Sequence, residues 1–136
     1  MPKSWFEKFD NGKSHEVKVI DKDFADIPAG STMLIATPKI VADYVRQIPE
    51  GYEADVKKIR KDLAAEYGAE YTCPVTTGIF LRVAAEVAYE EIESGKSLSE
   101  VIPFWRVIDK KSTAAKKLTF GYDFVKEKRE AEGLTA

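Results

Sequence analysis

The chain predicts a mainly α fold with a small β component, and three observations carry that expectation. Four runs place apolar residues at helical spacing, most of these runs are bounded by cap residues, proline or glycine, and the β-prone segments between them are short. With 136 residues, 44% of them hydrophobic and 11% aromatic, the chain has the size and apolar content of one compact domain.

Residues 1–36 read as a short N-terminal extension of mixed structure. Trp5, Phe6 and Phe9 form an apolar cluster, Asp10-Asn11-Gly12 is a turn signal, and Glu16 to Ile20 has the composition of a strand. Gly30 to Ala36, GSTMLIA, suits either a further strand or an apolar lead-in to the next helix. The first helix then opens with Thr37 as N-cap and Pro38 at the first helical position, where a missing N–H costs nothing. Ile40, Val41, Tyr44, Val45 and Ile48 follow at helical spacing, and Pro49 with Gly51 ends the run.

The second helix is expected from about Asp55 to Tyr67, burying Val56, Ile59, Leu63 and Tyr67 and stopping at Gly68. The third is expected from Gly78 to about Ser94, with Thr76 or Thr77 as its cap. Ile79, Phe80, Leu81, Val83, Ala84, Ala85, Val87 and Ala88 leave little of its first three turns polar, so it reads as the central helix. After the polar linker Lys96 to Glu100, a strand is expected at Arg106 to Ile108, a basic loop at DKKSTAAKK, and a return strand at Leu118 to Phe120. A last helix runs from Asp123 to about Glu132 and ends at Gly133. Three helices, a short hairpin and a helix give the order of a winged helix-turn-helix over residues 37–136.

Composition narrows the function classes. No apolar run approaches the roughly 20 residues of a membrane span, and the N-terminus, MPKSWFEKFDNGK, lacks the apolar stretch of a signal peptide. The chain reads as cytoplasmic, with no membrane partner. One cysteine, Cys73, and one histidine, His15, do not supply a zinc site of the usual kind, so no metal and no cofactor are expected. A net charge of −2 is that of a generic soluble protein, whereas dedicated nucleic-acid binders carry a basic excess; a local basic face is compatible with it.

Five blocks resemble, in order, the DNA-binding domain of the alkylguanine-DNA alkyltransferases: IPEG (Ile48–Gly51), IRKDLAAEYG (Ile59–Gly68), TTG (Thr76–Gly78), IPFWRVI (Ile102–Ile108) and AEG (Ala131–Gly133). The resemblance spans Thr37 to Leu134. Those methylated-DNA-protein cysteine methyltransferases have Pro-Cys-His-Arg-Val where this chain has Pro103-Phe104-Trp105-Arg106-Val107. Their cysteine accepts the alkyl group with help from the histidine. Phe104 and Trp105 accept none, so the resemblance implies a protein that is not an enzyme, similar to the alkyltransferase-like proteins of DNA repair and to a bacterial subgroup among them. Where members that flip a nucleotide carry a tyrosine and an arginine, this chain has Val56 and Val75. The segment from Gly78 to Pro103 is also longer than in the enzymes, and their asparagine hinge before the active-site strand has no counterpart.

Several residues carry two readings each. Phe104, Trp105 and Arg106 form a base pocket in one, where stacking contributes about 1–3 kcal/mol per base; in the other the rings are core and Arg106 pairs with a carboxylate. Lys57, Lys58, Arg60 and Lys61 on the second helix, with Lys110, Lys111, Lys116 and Lys117 on the wing, flank DNA in a winged helix or make ordinary solvated faces. Thr76, Thr77 and Gly78 offer backbone N–H groups to a phosphate or merely cap a helix. Arg82 reaches a DNA groove or pairs with Glu86 four residues on. Cys73 reads as a small buried residue. Two functions therefore stand: a non-enzymatic DNA-binding protein that recognises alkylated or distorted bases without repairing them, and a winged-helix module whose partner is a protein.

Overall fold

The computed structural model describes residues 3–135. The elements are α1 (Trp5–Phe9), β1 (Glu16–Val19), β2 (Thr32–Ile35), α2 (Pro38–Arg46), α3 (Val56–Glu66), β3 (Tyr71–Thr72), α4 (Pro74–Glu93) and α5 (Asp123–Ala131). Three 3₁₀ turns, Leu98–Glu100, Phe104–Arg106 and Ala114–Lys117, fill the stretch between α4 and α5. The fold is mainly helical with one small sheet, as the periodicity predicts.

Local chemistry sets the helix starts. Ser4 and Glu7 close a reciprocal capping box on α1. The Thr37 hydroxyl accepts from the Ile40 N–H at 3.2 Å, so α2 starts at its expected cap, and the Asp55 carboxylate, at the expected start of α3, caps that helix by accepting from the Lys58 N–H at 2.8 Å. Helix α4 differs. Pro74, pre-set for a first helical position, starts it four residues before Gly78, and Cys73 makes no side-chain cap bond. Thr76 and Thr77 are thus corrected from caps to first-turn residues, and the Thr77 hydroxyl donates back to the Cys73 carbonyl at 2.7 Å.

The sheet has the order β1-β2-β3, with β1 antiparallel and β3 parallel to β2. Its central strand comes from residues 1–36 and its third from the connector after α3. Leu34 and Ala36 also join the main core beside Val41, Ile59, Leu81, Ala85, Ile102 and Val125. Ile20, Ile27 and Met33 form a smaller core with Cys73, which is 4% exposed as expected. The supposed extension shares sheet and core with the remainder, and its boundary at residue 36 does not divide the structure.

The expected wing hairpin contains no strand. The N–H groups of Val107 and Ile108 both donate to the Phe104 carbonyl, at 3.1 and 3.0 Å. The Asp109 carboxylate accepts from the Lys111 and Ser112 N–H groups, and Ala114–Lys117 is a further 3₁₀ turn. Val107, Ile108, Ala114, Ala115 and Leu118 are all buried. Consecutive residues drawn into a core on both sides cannot keep the in-and-out alternation of a half-exposed hairpin, and local turns satisfy the backbone instead. Among the described residues no helix is long and apolar enough to cross a membrane.

Candidate functional site

Two neighbouring regions gather the candidate residues. At the first, Pro103 leads into the turn Phe104–Arg106, which sinks both rings. Phe104 is 1% and Trp105 3% exposed. The Phe104 ring meets Trp105 edge-on at 5.3 Å and lies 5.7 Å from Phe120 and 5.9 Å from Phe124. The base pocket expected at Phe104, Trp105 and Arg106 is therefore corrected: Phe104 and Trp105 are core, and Arg106 beside them is half-buried. Large rings hold a core site when other aromatics cover them, and α5 with the segment before it brings Phe120 and Phe124 to do so.

The polar atoms of this corner converge on Glu132, just past α5. Its carboxylate accepts from Trp105 Nε1 at 2.6 Å, Arg106 Nε at 2.9 Å and Nη2 at 3.1 Å, and the Gly51 N–H at 3.0 Å. A φ of +86° at Gly51, open to glycine, accompanies that last bond. Arg106 Nη1 donates to the Ile48 carbonyl at 2.8 Å. Of the two readings of Arg106, pairing with a carboxylate is the one observed. Burial by itself pushes the Glu132 carboxyl up, but the bonds from Arg106, Gly51 and Trp105 outweigh it and hold the group below its ordinary value. IPEG, IPFWRVI and AEG are thus three blocks tied by one carboxylate.

Arg129 completes the cluster. Only 2% exposed, it donates to the Trp105 carbonyl at 2.8 Å and the Thr135 carbonyl at 2.6 Å and pairs with Glu53. Inside the charged run KEKRE it looks like a surface residue. The signal that marks it is spacing, since it lies four positions after the buried Val125, on the inner face of α5.

The second region is a groove of about 1010 Å³ at the start of α4. Val56 and Lys57 of α3 form one wall, Val75, Gly78, Ile79 and Arg82 of α4 the floor, and Lys111 with Lys117 another wall; α1 adds Trp5 and Lys8. Five cationic side chains line it against two carboxylates, Asp55 and Asp109, and both carboxylates are bonded to backbone N–H groups. Ile79, expected to be buried, is 51% exposed and Val75 53% because they face this opening. Val56 and Val75, from different helices, both line it.

Arg82 lies within the groove with its guanidinium 4.9 Å from the Trp5 ring centre. Its expected partner Glu86 is only loosely engaged at 3.8 Å, because that carboxylate, 2% exposed, accepts from the Thr119 N–H at 2.8 Å and hydroxyl at 2.5 Å. Arg82 Nε is buried without a hydrogen-bond partner among the described residues, as is Thr76 Oγ1.

Other expected DNA contacts are placed elsewhere. Arg60 grips Asp26 with two bonds at 2.9 and 2.8 Å and donates to the Thr72 carbonyl at 2.9 Å, so it clamps the loop before β2 to α3 and is corrected from a phosphate contact. That hydrogen bonding holds the Asp26 carboxyl below its ordinary value. Thr77 is fully buried and is likewise removed from any contact surface. Lys58 pairs with Asp62 at 3.1 Å. Lys58, Lys61, Lys110 and Lys116 are exposed but stand outside the groove lining. Among the described residues no cluster of metal-ligating side chains occurs. No family model, curated protein or solved structure matches this chain.

Proposed function

We propose that the protein is a non-enzymatic DNA-binding protein of the alkyltransferase-like type, which holds a DNA backbone in the groove at the start of α4. One observation carries this reading: the start of α3, the first three turns of α4 and the loop after the aromatic corner bring Lys57, Arg82, Lys111 and Lys117 to a single opening. In this reading α3 and α4 are the helix pair of a winged helix-turn-helix, and the turns from Asp109 to Lys117 take the place of the wing. The absence of transfer chemistry is supported by Phe104 and Trp105, which accept no alkyl group, and by Cys73, which is sealed. Contact is to phosphates and to duplex shape, including the distortion an alkylated base introduces, because Val56 and Val75 offer no group to fill the gap a flipped base leaves.

Fluorescence anisotropy of labelled duplexes, with and without O6-alkylguanine, across a salt series tests it. Binding is expected to weaken with salt at a log–log slope of about −0.9 per phosphate neutralised. No binding at low salt overturns the reading, and equal affinity for both duplexes removes lesion recognition from it. The second reading, a protein partner, is favoured by the half-exposed Val75 and Ile79 on the groove floor.

A further inference from the structure

We propose that β1 is a self-association edge, through which two copies of this chain join their sheets about a two-fold axis. The strand lies at the end of the sheet, and among the described strands only β2 pairs with it. All four of its residues are exposed, with Val17 41% and Val19 67% open to solvent. No proline blunts this edge, and its register with β2 runs unbroken from Glu16 to Val19.

Backbone geometry fixes which groups are offered. The Ile20 N–H donates to the Ser31 carbonyl at 3.1 Å. Antiparallel ladders alternate, so Lys18 and Glu16 also bond inward to β2, while Val17 and Val19 turn their N–H and C=O groups outward. A second β1 placed antiparallel, with Val17 opposite Val17, meets those outward groups with its own.

The charge pattern selects that register and that partner. With Val17 opposite Val17, Glu16 faces Lys18 of the second copy and Lys18 faces its Glu16, two opposite-charge pairs on one face and a valine pair on the other. A slip by two residues in one direction sets Lys18 against Lys18, and in the other Glu16 against Glu16. A parallel, in-register pairing also sets like charges side by side. The sequence EVKV is thus self-complementary in one isologous arrangement, which closes on itself as a dimer. This pairing does not depend on what the groove binds.

Sedimentation velocity of the full chain over a concentration series reads the association. The expected result is a reversible dimer that Glu16→Lys or Lys18→Glu each weakens at least about tenfold, since each reversal turns two attractive pairs repulsive. Combining Glu16→Lys with Lys18→Glu is expected to restore the dimer. Circular dichroism of all variants is expected to match the parent, because these side chains are exposed. A monomer at every concentration, a dimer indifferent to single reversals, or a double variant that stays monomeric each overturns the proposal.

Discussion

The aromatic corner and the groove beside it share a boundary but obey opposite rules. At the corner, Trp105 Nε1 and the Arg106 and Arg129 guanidiniums find partners, and the rings are closed off from water. In the groove, Val75 and Ile79 stand half open, lysines line the opening, and Arg82 Nε has no hydrogen-bond partner among the described residues. The contrast teaches that neighbouring segments of one chain can be satisfied internally in one place and left with exposed apolar and cationic side chains in the other.

The largest test of this contrast is Phe104→Ala. Removing a fully buried ring from this aromatic cluster is expected to cost about 3–5 kcal/mol, read as a lower denaturant midpoint. DNA affinity of the protein that stays folded is expected to be unchanged. Lost affinity with unchanged stability would return the corner to the status of a binding site.

Next comes Glu132→Gln, which weakens a hub of charged hydrogen bonds and is expected to cost about 2–3 kcal/mol. Its effect is pH-dependent. The folded carboxyl titrates below its ordinary value of 4.5, so its stabilising contribution is complete above that value and is lost as pH falls through the folded one. Denaturation curves from neutral to acid pH are expected to show the parent losing more stability than the variant. Parallel curves for the two proteins would remove Glu132 as the charged centre of the corner.

The smallest effect on stability, and the sharpest on binding, is expected from combining Lys57→Ala, Lys111→Ala and Lys117→Ala. These exposed residues contribute within about 0.5 kcal/mol each to folding, while the salt slope of DNA binding is expected to flatten by up to about 3. An unaltered slope would move any DNA contact out of the groove.

Much of the helical scaffold was legible because its signals are local. Thr37-Pro38 announces α2 within one turn of chain, the spacing of Val56, Ile59 and Leu63 with the stop at Gly68 marks α3, and the apolar run of α4 shows its centrality directly. The start of α4 is harder to read, because Thr76 and Thr77 look like caps while Pro74, four residues before Gly78, takes the first helical position. The expected strands at Arg106 to Ile108 and Leu118 to Phe120 do not form, and β-prone Val107 and Ile108 look alike in a strand and in a buried turn. In the candidate site Lys57, Arg82, Lys111 and Lys117 were legible as charges, whereas Arg60 and Arg129 were not legible as structural residues, since a charged run looks the same whether or not it is clamped.

By itself the sequence determined the mainly α class, the cap of α2, the central helix and the charges available around it. Only the tertiary structure decided that Phe104 and Trp105 are sealed, that residues 3–36 share the core, and that Val56 and Val75 line one groove. The reason is range: Arg106 finds the Ile48 carbonyl across 58 positions and Gly51 finds Glu132 across 81. Turn chemistry and helical period act over a few residues, whereas burial and pairing depend on which distant surfaces the whole chain brings together.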